Sequence, residues 1–201
     1  MQVAIPPIAA SILSSRLSKN GHVISVSISA FPAIELLWHD ADSVDVRMST
    51  YHATAEKLGS QLAEGGSVGS LHVTVGTLTS GLLTVNDATL SKRGNVLVAT
   101  AQISESDLRS ALPGILDSVV PVASSDGQLT LQGTVSVPIL GHLSADFIAK
   151  TRDGKIVVSP DLPLLNSFAV TVWSQPSVHV LSVAGAPTAT GLSVSATATL
   201  Q

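Results

Sequence analysis

The sequence predicts an α+β fold in which a curved antiparallel sheet, open or closed into a barrel, wraps around amphipathic helices. In many short segments, for example 129–137 and 192–200, apolar residues alternate with Ser, Thr and other polar residues. Such alternation gives a strand one apolar face and one polar face. Apolar residues recur at helical spacing in three further segments, at about 6–19, 50–64 and 104–120. Because no internal repeat or long linker divides the 201 residues, we expect a single domain.

Start and stop signals bound the predicted helices. Pro6 lies in the first turn of the N-terminal helix, where proline is tolerated, and Gly21 follows its end. The third helix begins at Ser104 in a pattern typical of a capping box. It is expected to continue to about residue 120, with a kink or a break at Pro113.

The strands are predicted from alternation and from the turn residues between them. Turns over 91–95 and 151–154 are expected to join two hairpins. The predicted strands cover residues 23–29, 43–48, 71–78, 83–90, 96–103, 129–137, 143–149, 156–159, 168–173, 178–183 and 192–200.

The composition combines high hydropathy with few charges. The chain is 45% hydrophobic and 12% charged, whereas globular proteins average about 25% charged residues. Its mean hydropathy is +0.44, yet the apolar residues are dispersed and no stretch is typical of a membrane span. This excess of apolar side chains indicates either a large filled core or a cavity lined by Val, Leu, Ile and Ala, and we favour the cavity.

Two classes of function are disfavoured by charge and by residue types. A net charge of −4 argues against a nucleic-acid partner, which would need a basic face. The absence of cysteine excludes disulfides and thiolate chemistry. We also expect no cofactor.

No motif in the sequence predicts catalysis or a metal site. Gly65–Gly69 matches G-x-S-x-G, but a nucleophile elbow needs a strand before the Ser and a helix after it. Here the predicted order is reversed, which favours a helix C-cap followed by a loop. The His and Asp residues at 38–42, with Asp45, lack the spacing of a metal site and are interpreted as a polar turn. We therefore expect no catalytic residue and no metal.

A cavity of this kind would be lined by the helical stripe at 108–119 and entered through two apolar loops. Residues 31–38 break the alternation and indicate a short helix or a membrane-facing loop, and residues 161–168 form a second apolar loop. The residues predicted to contact an acyl-chain ligand are Phe31, Leu36, Leu37, Trp38, Leu108, Leu112, Ile115, Leu116, Val119, Leu162, Leu165 and Phe168.

Basic residues gather at two predicted hairpin turns. Lys92 and Arg93 lie at one turn, and Lys150, Arg152 and Lys155 surround the other. Charged turns commonly serve solubility, and that is the favoured interpretation. The alternative is contact with the headgroups of an anionic membrane surface.

The order of several segments resembles the LmeA-like phospholipid-binding proteins of actinobacterial envelopes, over about residues 6–200. The resemblance rests on the N-terminal helix and on the segments at 26–32, 43–47, 85–90, 99–108, 133–135, 154–160 and 191–198. It implies an elongated, curved, tubular β-structure around a helix, an extracytoplasmic location, and phospholipid binding linked to lipoglycan or envelope lipid metabolism. It implies no catalytic residues. Residues 1–7 show no signal peptide, so a cytoplasmic protein or a sequence that begins at a mature end are both open.

Together these observations predict a non-catalytic phospholipid-binding or lipid-carrier protein of the cell envelope, with peripheral membrane contact. The alternative is a structural or adhesive β-domain with a filled core and no ligand. The volume of any internal cavity separates the two interpretations.

Overall fold

The computed structural model describes residues 5–29, 41–81, 83–111, 116–125, 127–137, 141–161 and 169–201. The described helices are α1 (Ile5–Leu17), α2 (Ala55–Glu64), a 3-10 turn (Gly65–Ser67) and α3 (Glu105–Ala111). The described strands are β1 (Gly21–Ser29), β2 (Ser43–His52), β3 (Ser70–Ser80), β4 (Leu83–Arg93), β5 (Val96–Ser104), β6 (Leu116–Ser125), β7 (Gln128–Val137), β8 (Gly141–Arg152), β9 (Lys155–Pro160), β10 (Val170–Trp173), β11 (Val178–Thr188) and β12 (Gly191–Leu200). The prediction of a mainly β protein with a few helices is confirmed.

The strands form two sheets. The larger sheet has the order β1-β2-β3-β4-β5-β12-β11, and the smaller has the order β10-β9-β8-β7-β6. Both sheets have two edge strands in the described part of the chain, so of the two predicted forms, an open sheet or a barrel, the sheets there have the open one.

One strand pair departs from the predicted antiparallel pattern. Strands β2 and β3 are parallel, with Val44 opposite Leu71 and Val46 opposite Val73. Parallel neighbours need a crossover connection, which is usually a helix. Helix α2 and the 3-10 turn supply that crossover, because they connect the end of β2 to the start of β3.

The smaller sheet covers the β11 edge of the larger sheet with its hairpin turns. The backbone N–H of Val180 donates to the carbonyl of Gly154 at 3.0 Å, and that of Val183 donates to Gly127 at 3.3 Å. Both glycines have a positive φ of 73°, as tight turns require. These contacts use backbone groups that an edge strand otherwise leaves unpaired, and they place one sheet against the other.

The core lies where the inner faces of the two sheets meet. Val46 and Met48 of β2 belong to the same buried cluster as Leu131 of β7 and Val158 of β9. Strands β2 and β7 contribute alternate residues to the cluster, because successive side chains point to opposite faces. The alternation in the sequence therefore determines the apolar face that each sheet turns inward.

The first two helices agree with the sequence prediction except at one boundary. Helix α1 occupies most of the predicted segment at 6–19. Helix α2 starts later than the predicted residue 50, because Tyr51 and His52 belong to β2. The Thr54 side chain accepts a hydrogen bond from the Lys57 N–H at 3.2 Å and so caps the first turn of α2.

The third predicted helix, over 104–120, is wrong beyond its first two turns. The Ser104 hydroxyl accepts a hydrogen bond from the Asp107 N–H at 3.1 Å, which confirms the predicted cap, but α3 ends at Ala111. Residues 116–120 lie in β6 and pair with β7. Pro113 and the glycine after it are poor helix residues, and the β-branched residues that follow favour a strand.

Candidate functional site

A cavity of about 910 Å³ is lined by residues of both sheets and all three helices. The larger sheet contributes aliphatic residues such as Val75, and the smaller sheet contributes Leu131 and Val158. Leu58 of α2 and Leu108 of α3 complete the apolar wall. The volume lies at the upper end of the range of about 300–1,000 Å³ that is typical of small-molecule pockets.

The apolar wall follows from the strand pattern of the sequence. In β2, Val44, Val46 and Met48 are buried and line the cavity. Asp45 and Arg47, which alternate with them, form an ion pair at 3.5 Å on the other face. The same one-residue alternation thus lines the cavity with aliphatic groups and keeps the charges outside.

Charged side chains enter the described cavity lining at two positions, and both lie on helices. Arg16 belongs to α1 and Glu64 to α2, and both side chains are exposed to solvent. The strands add neutral hydroxyl-bearing residues, such as Thr89 and Thr100. The charged residues of the described lining are therefore all contributed by helices.

A hydrogen-bonded pair of polar side chains also lines the cavity. The Tyr51 hydroxyl donates to Gln61 Oε1 at 2.7 Å, and both residues line the cavity. Tyr51 is only 4% exposed. Burial raises the pKa of the Tyr51 phenol, because desolvation disfavours the phenolate, and the hydrogen bond to Gln61 opposes this in part.

Of the predicted acyl-chain contacts, Leu108 is buried at 8% exposure and lines the cavity. Leu116 and Val119 lie in the strand β6 rather than in a helix, and their side chains are not among those described. The other predicted contacts lie outside the described residues: Phe31, Leu36, Leu37, Trp38, Leu112, Ile115, Leu162, Leu165 and Phe168. Their roles stay predictions.

The prediction of headgroup contact by Lys92 is corrected by its burial, since its side chain is only 1% exposed. Its ammonium donates to the carbonyl of Gly66 at 3.1 Å and to that of Val68. Those carbonyls follow the C-terminal end of α2, where a cation is favourable. Burial lowers the pKa of Lys92, because it disfavours the ammonium form. Lys92 thus stabilises the crossover segment, and its buried side chain is not accessible to a membrane surface.

The other basic residues of the predicted turns differ in exposure. Arg93, Arg152 and Lys155 are exposed, whereas Lys150 is half-buried. The turn between β8 and β9 does not project freely, because Gly154 is buried against β11. The exposed basic side chains flank this contact.

Among the cavity residues that sequence reasoning missed are four with polar groups: Arg16, Tyr51, Gln61 and Glu64. Arg16 carries the one charge in the first 18 residues of the chain, which is a signal that could have marked it. Tyr51 was assigned to a helix and not to the strand that turns it inward. Gln61 and Glu64 lie three apart on α2, a spacing that places both on one helix face.

Polar pairs on the outer face of the larger sheet do not assemble into a catalytic arrangement. The Ser49 hydroxyl lies 3.0 Å from His22 Nδ1, and the Ser91 hydroxyl lies 3.1 Å from His72 Nδ1. Within the described ranges, neither histidine forms an ion pair with a carboxylate that would orient it as a triad requires. The described residues also contain no group of three side chains suited to a metal ion. Within the G-x-S-x-G segment, Gly65 is the C-cap of α2, as predicted, and Gly65–Ser67 form the 3-10 turn that precedes β3.

Comparison with known proteins gives no relative: no family model, no curated protein and no solved structure matches this chain. In the described part of the chain, no helix has the length and apolar character needed to cross a membrane.

Proposed function

We propose that this protein is a non-catalytic phospholipid-binding protein, or lipid carrier, that holds acyl chains in the cavity between its two sheets. The observation that carries the proposal is a cavity of about 910 Å³ whose strand-borne lining is mainly aliphatic. A structural or adhesive domain would fill such a space with its own side chains, because protein interiors are close-packed.

The energetics of burial favour a ligand with two acyl chains. Each buried methylene contributes about 0.8 kcal/mol, so one chain of about 14 methylenes gains about 11 kcal/mol. That gain is comparable with the cost of association, which is about 4–15 kcal/mol. A second chain raises the gain well above the cost, and this supports a diacyl lipid.

The place of action follows from the resemblance to LmeA-like proteins, and it is part of the proposal. The resemblance supports a location in the cell envelope and a link to lipoglycan metabolism. Peripheral contact with the membrane would use the loops at 31–38 and 161–168 as the entrance. Arg93, Arg152 and Lys155 are exposed and could contact anionic headgroups, with Lys150 beside them.

Mass spectrometry of the purified protein tests the proposal. We expect native spectra to exceed denaturing spectra by masses of diacyl phospholipids, and organic extracts to contain the same lipids. Protein stripped of lipid should take phospholipid up again from vesicles. A protein that is free of lipid as purified, and that takes up none from vesicles, would instead support the structural domain.

A further inference from the structure

Helix α1 exposes large apolar side chains on the side that faces away from the core. Ile8 is 60% exposed and Ile12 is 54% exposed, and because they are four positions apart they lie on one face of the helix. Leu13 and Leu17 pack against the core and line the cavity from the other side of α1. A helix that is apolar on two sides is normally covered on both, so the exposed side of α1 indicates a partner outside the described residues.

Basic residues gather at the C-terminal end of the same helix. Arg16 lies in the last turn and Lys19 follows the helix, and both are exposed. Lys57 of α2 is a third cation at this end, since its Nζ donates to the side-chain oxygen of Asn20 at 2.8 Å. Residues 1–34 contain no Asp or Glu, although the whole chain has a net charge of −4. The helix dipole accounts for one cation in the last turn, but it does not account for the other two.

The apolar residues and the cations together match the surface of an anionic bilayer. The 13 residues of α1 extend over about 20 Å, with the exposed isoleucines in the first part and the cations at the end. Interfacial helices place apolar side chains at the boundary between headgroups and acyl chains, while their cations contact lipid phosphates. A second copy of this chain is a poorer match. In a two-fold interface the same surface would face itself, and the cations of α1 would meet no acidic residue of α1.

We infer that α1 docks the protein on an anionic lipid bilayer; this inference rests on the proposed function, in which bound lipid comes from a membrane. The α1 surface consists of Ile8, Ile12, Arg16 and Lys19. The two isoleucines enter the acyl boundary, and the two cations contact phosphate groups. Because Leu17 of the same helix lines the cavity, α1 then lies between the bilayer and the bound lipid.

Cosedimentation with vesicles measures the docking. Lipid-free protein is mixed with vesicles of phosphatidylcholine alone, or of phosphatidylcholine and phosphatidylglycerol in equal parts, at low and at high salt. The variants are Ile8→Ser/Ile12→Ser and Lys19→Gln. Serine and isoleucine have similar helix propensities, so the double variant should keep α1, which circular dichroism checks.

Matched control variants change exposed residues elsewhere. Val96→Ser/Val98→Ser alters an exposed pair on one face of β5, and Arg47→Gln removes an exposed cation of β2. The control variants should bind both kinds of vesicle as the parent protein does.

We expect Lys19→Gln to weaken binding to the anionic vesicles by about fivefold at low salt. This difference should disappear at about 1 M salt, where the Debye length is about 3 Å. Ile8→Ser/Ile12→Ser should weaken binding by about tenfold or more at low and high salt alike, because apolar burial is not screened. None of the three substituted residues lines the cavity, so both variants should take up phospholipid from detergent micelles as the parent does.

A fluorescent label gives a second measurement that does not depend on a loss of binding. The chain has no cysteine, so Ile12→Cys carries a polarity-sensitive dye at one site. Val122→Cys is the control, because Val122 is 53% exposed on β6 of the smaller sheet. Anionic vesicles should shift the emission to the blue for the label at position 12 and leave it unchanged at position 122.

Parent binding of both α1 variants to anionic vesicles, or an unshifted label at position 12, would overturn the inference. If phospholipid still enters the protein from micelles in that case, the proposed function stands. A parent protein that is a dimer by light scattering, and that Ile8→Ser/Ile12→Ser converts to a monomer with unchanged vesicle binding, would assign the α1 surface to a second copy. If the parent docks through α1 but takes up no phospholipid from vesicles or micelles, the proposed function fails and the docking surface remains.

Discussion

Tyr51 is the residue that reports most directly on the cavity, because it is the one tyrosine in the chain and is buried in the lining. Its phenol is desolvated by burial, which disfavours the phenolate, so its pKa is raised above its ordinary value of 10.0. The ultraviolet absorbance of tyrosinate therefore measures the polarity of a single site in the cavity wall.

We predict that Tyr51 titrates above pH 10.0 in the folded protein and at about 10 in denaturant. Since its pKa is raised by folding, its contribution to stability is complete below about pH 10 and is lost as the pH rises through the folded pKa. Absorbance titration measures the first effect, and chemical unfolding at several pH values measures the second. Tyr51→Phe has no phenol to ionise, so in this variant the loss of stability at alkaline pH that comes from Tyr51 should be absent. Titration of the native protein at or below pH 10.0 would show that the phenol is solvated.

Lys92 shows why burial cannot be inferred from residue type alone. Its place beside Arg93 at the end of a strand predicts an exposed turn, and in the sequence the two basic residues are equivalent. The structure separates them by strand direction: Lys92 points inward to the carbonyls of Gly66 and Val68, and Arg93 points to solvent. Which side of β4 is covered depends on α2, which lies about thirty residues earlier in the chain.

At the scale of elements, the turn glycines Gly94 and Gly154 form a natural comparison. Both have positive φ, at 55° and 73°, and both lie in two-residue hairpin turns. An added Cβ at Gly94 meets nothing within 4 Å, whereas at Gly154 it would collide with the His179 ring. The two positions thus differ in packing and share a backbone conformation.

We predict that Gly94→Ala lowers the free energy of unfolding by about 1–2 kcal/mol, the cost of the left-handed conformation. Gly154→Ala should cost more, by about 1–3 kcal/mol beyond that, because the collision also displaces the smaller sheet from β11. Chemical denaturation monitored by circular dichroism gives both values. Equal losses for the two variants would mean that the hairpin contact with β11 contributes little.

The strands could be predicted almost completely from local alternation, since each predicted range overlaps an observed strand within the described residues. The segment at 116–120 could not, because a short apolar run fits a helix and a strand equally well. The parallel pairing of β2 and β3 could have been predicted from the order of elements, because a strand, a helix and a strand in succession are typical of a crossover. The division into two sheets depends on contacts far apart in sequence, which local patterns do not encode.

The site was less predictable than the strands. An aliphatic lining follows from the alternation, and Leu108 was identified from its helical spacing. The charged residues of the lining could not be predicted, because Arg16 and Glu64 come to line the same cavity only after α1, α2 and the sheets have packed together. Single polar residues on amphipathic helices are common, and nothing local distinguishes those that border a cavity.

For the molecule as a whole, the decisive question is whether the space between the sheets accommodates a ligand. Ala101 of β5 lines the cavity and is half-buried, and Ala186 of β11 is exposed and outside the lining. Both are alanines in strands, so phenylalanine at the two positions compares filling the cavity with adding the same ring to the surface.

We predict that Ala101→Phe reduces the amount of phospholipid bound per protein by at least half, because the ring occupies cavity volume that the acyl chains would otherwise fill. Its free energy of unfolding should change by less than about 1 kcal/mol, since the ring enters existing space. In a filled core the same substitution would cost about 1–3 kcal/mol through overpacking. Ala186→Phe should leave both lipid content and stability near the parent values. Lipid content is measured by mass spectrometry of extracts, and stability by chemical denaturation. A strongly destabilised Ala101→Phe protein, together with an Ala186→Phe protein of parent stability, would show that the interior is already full and that the structural domain is the better interpretation.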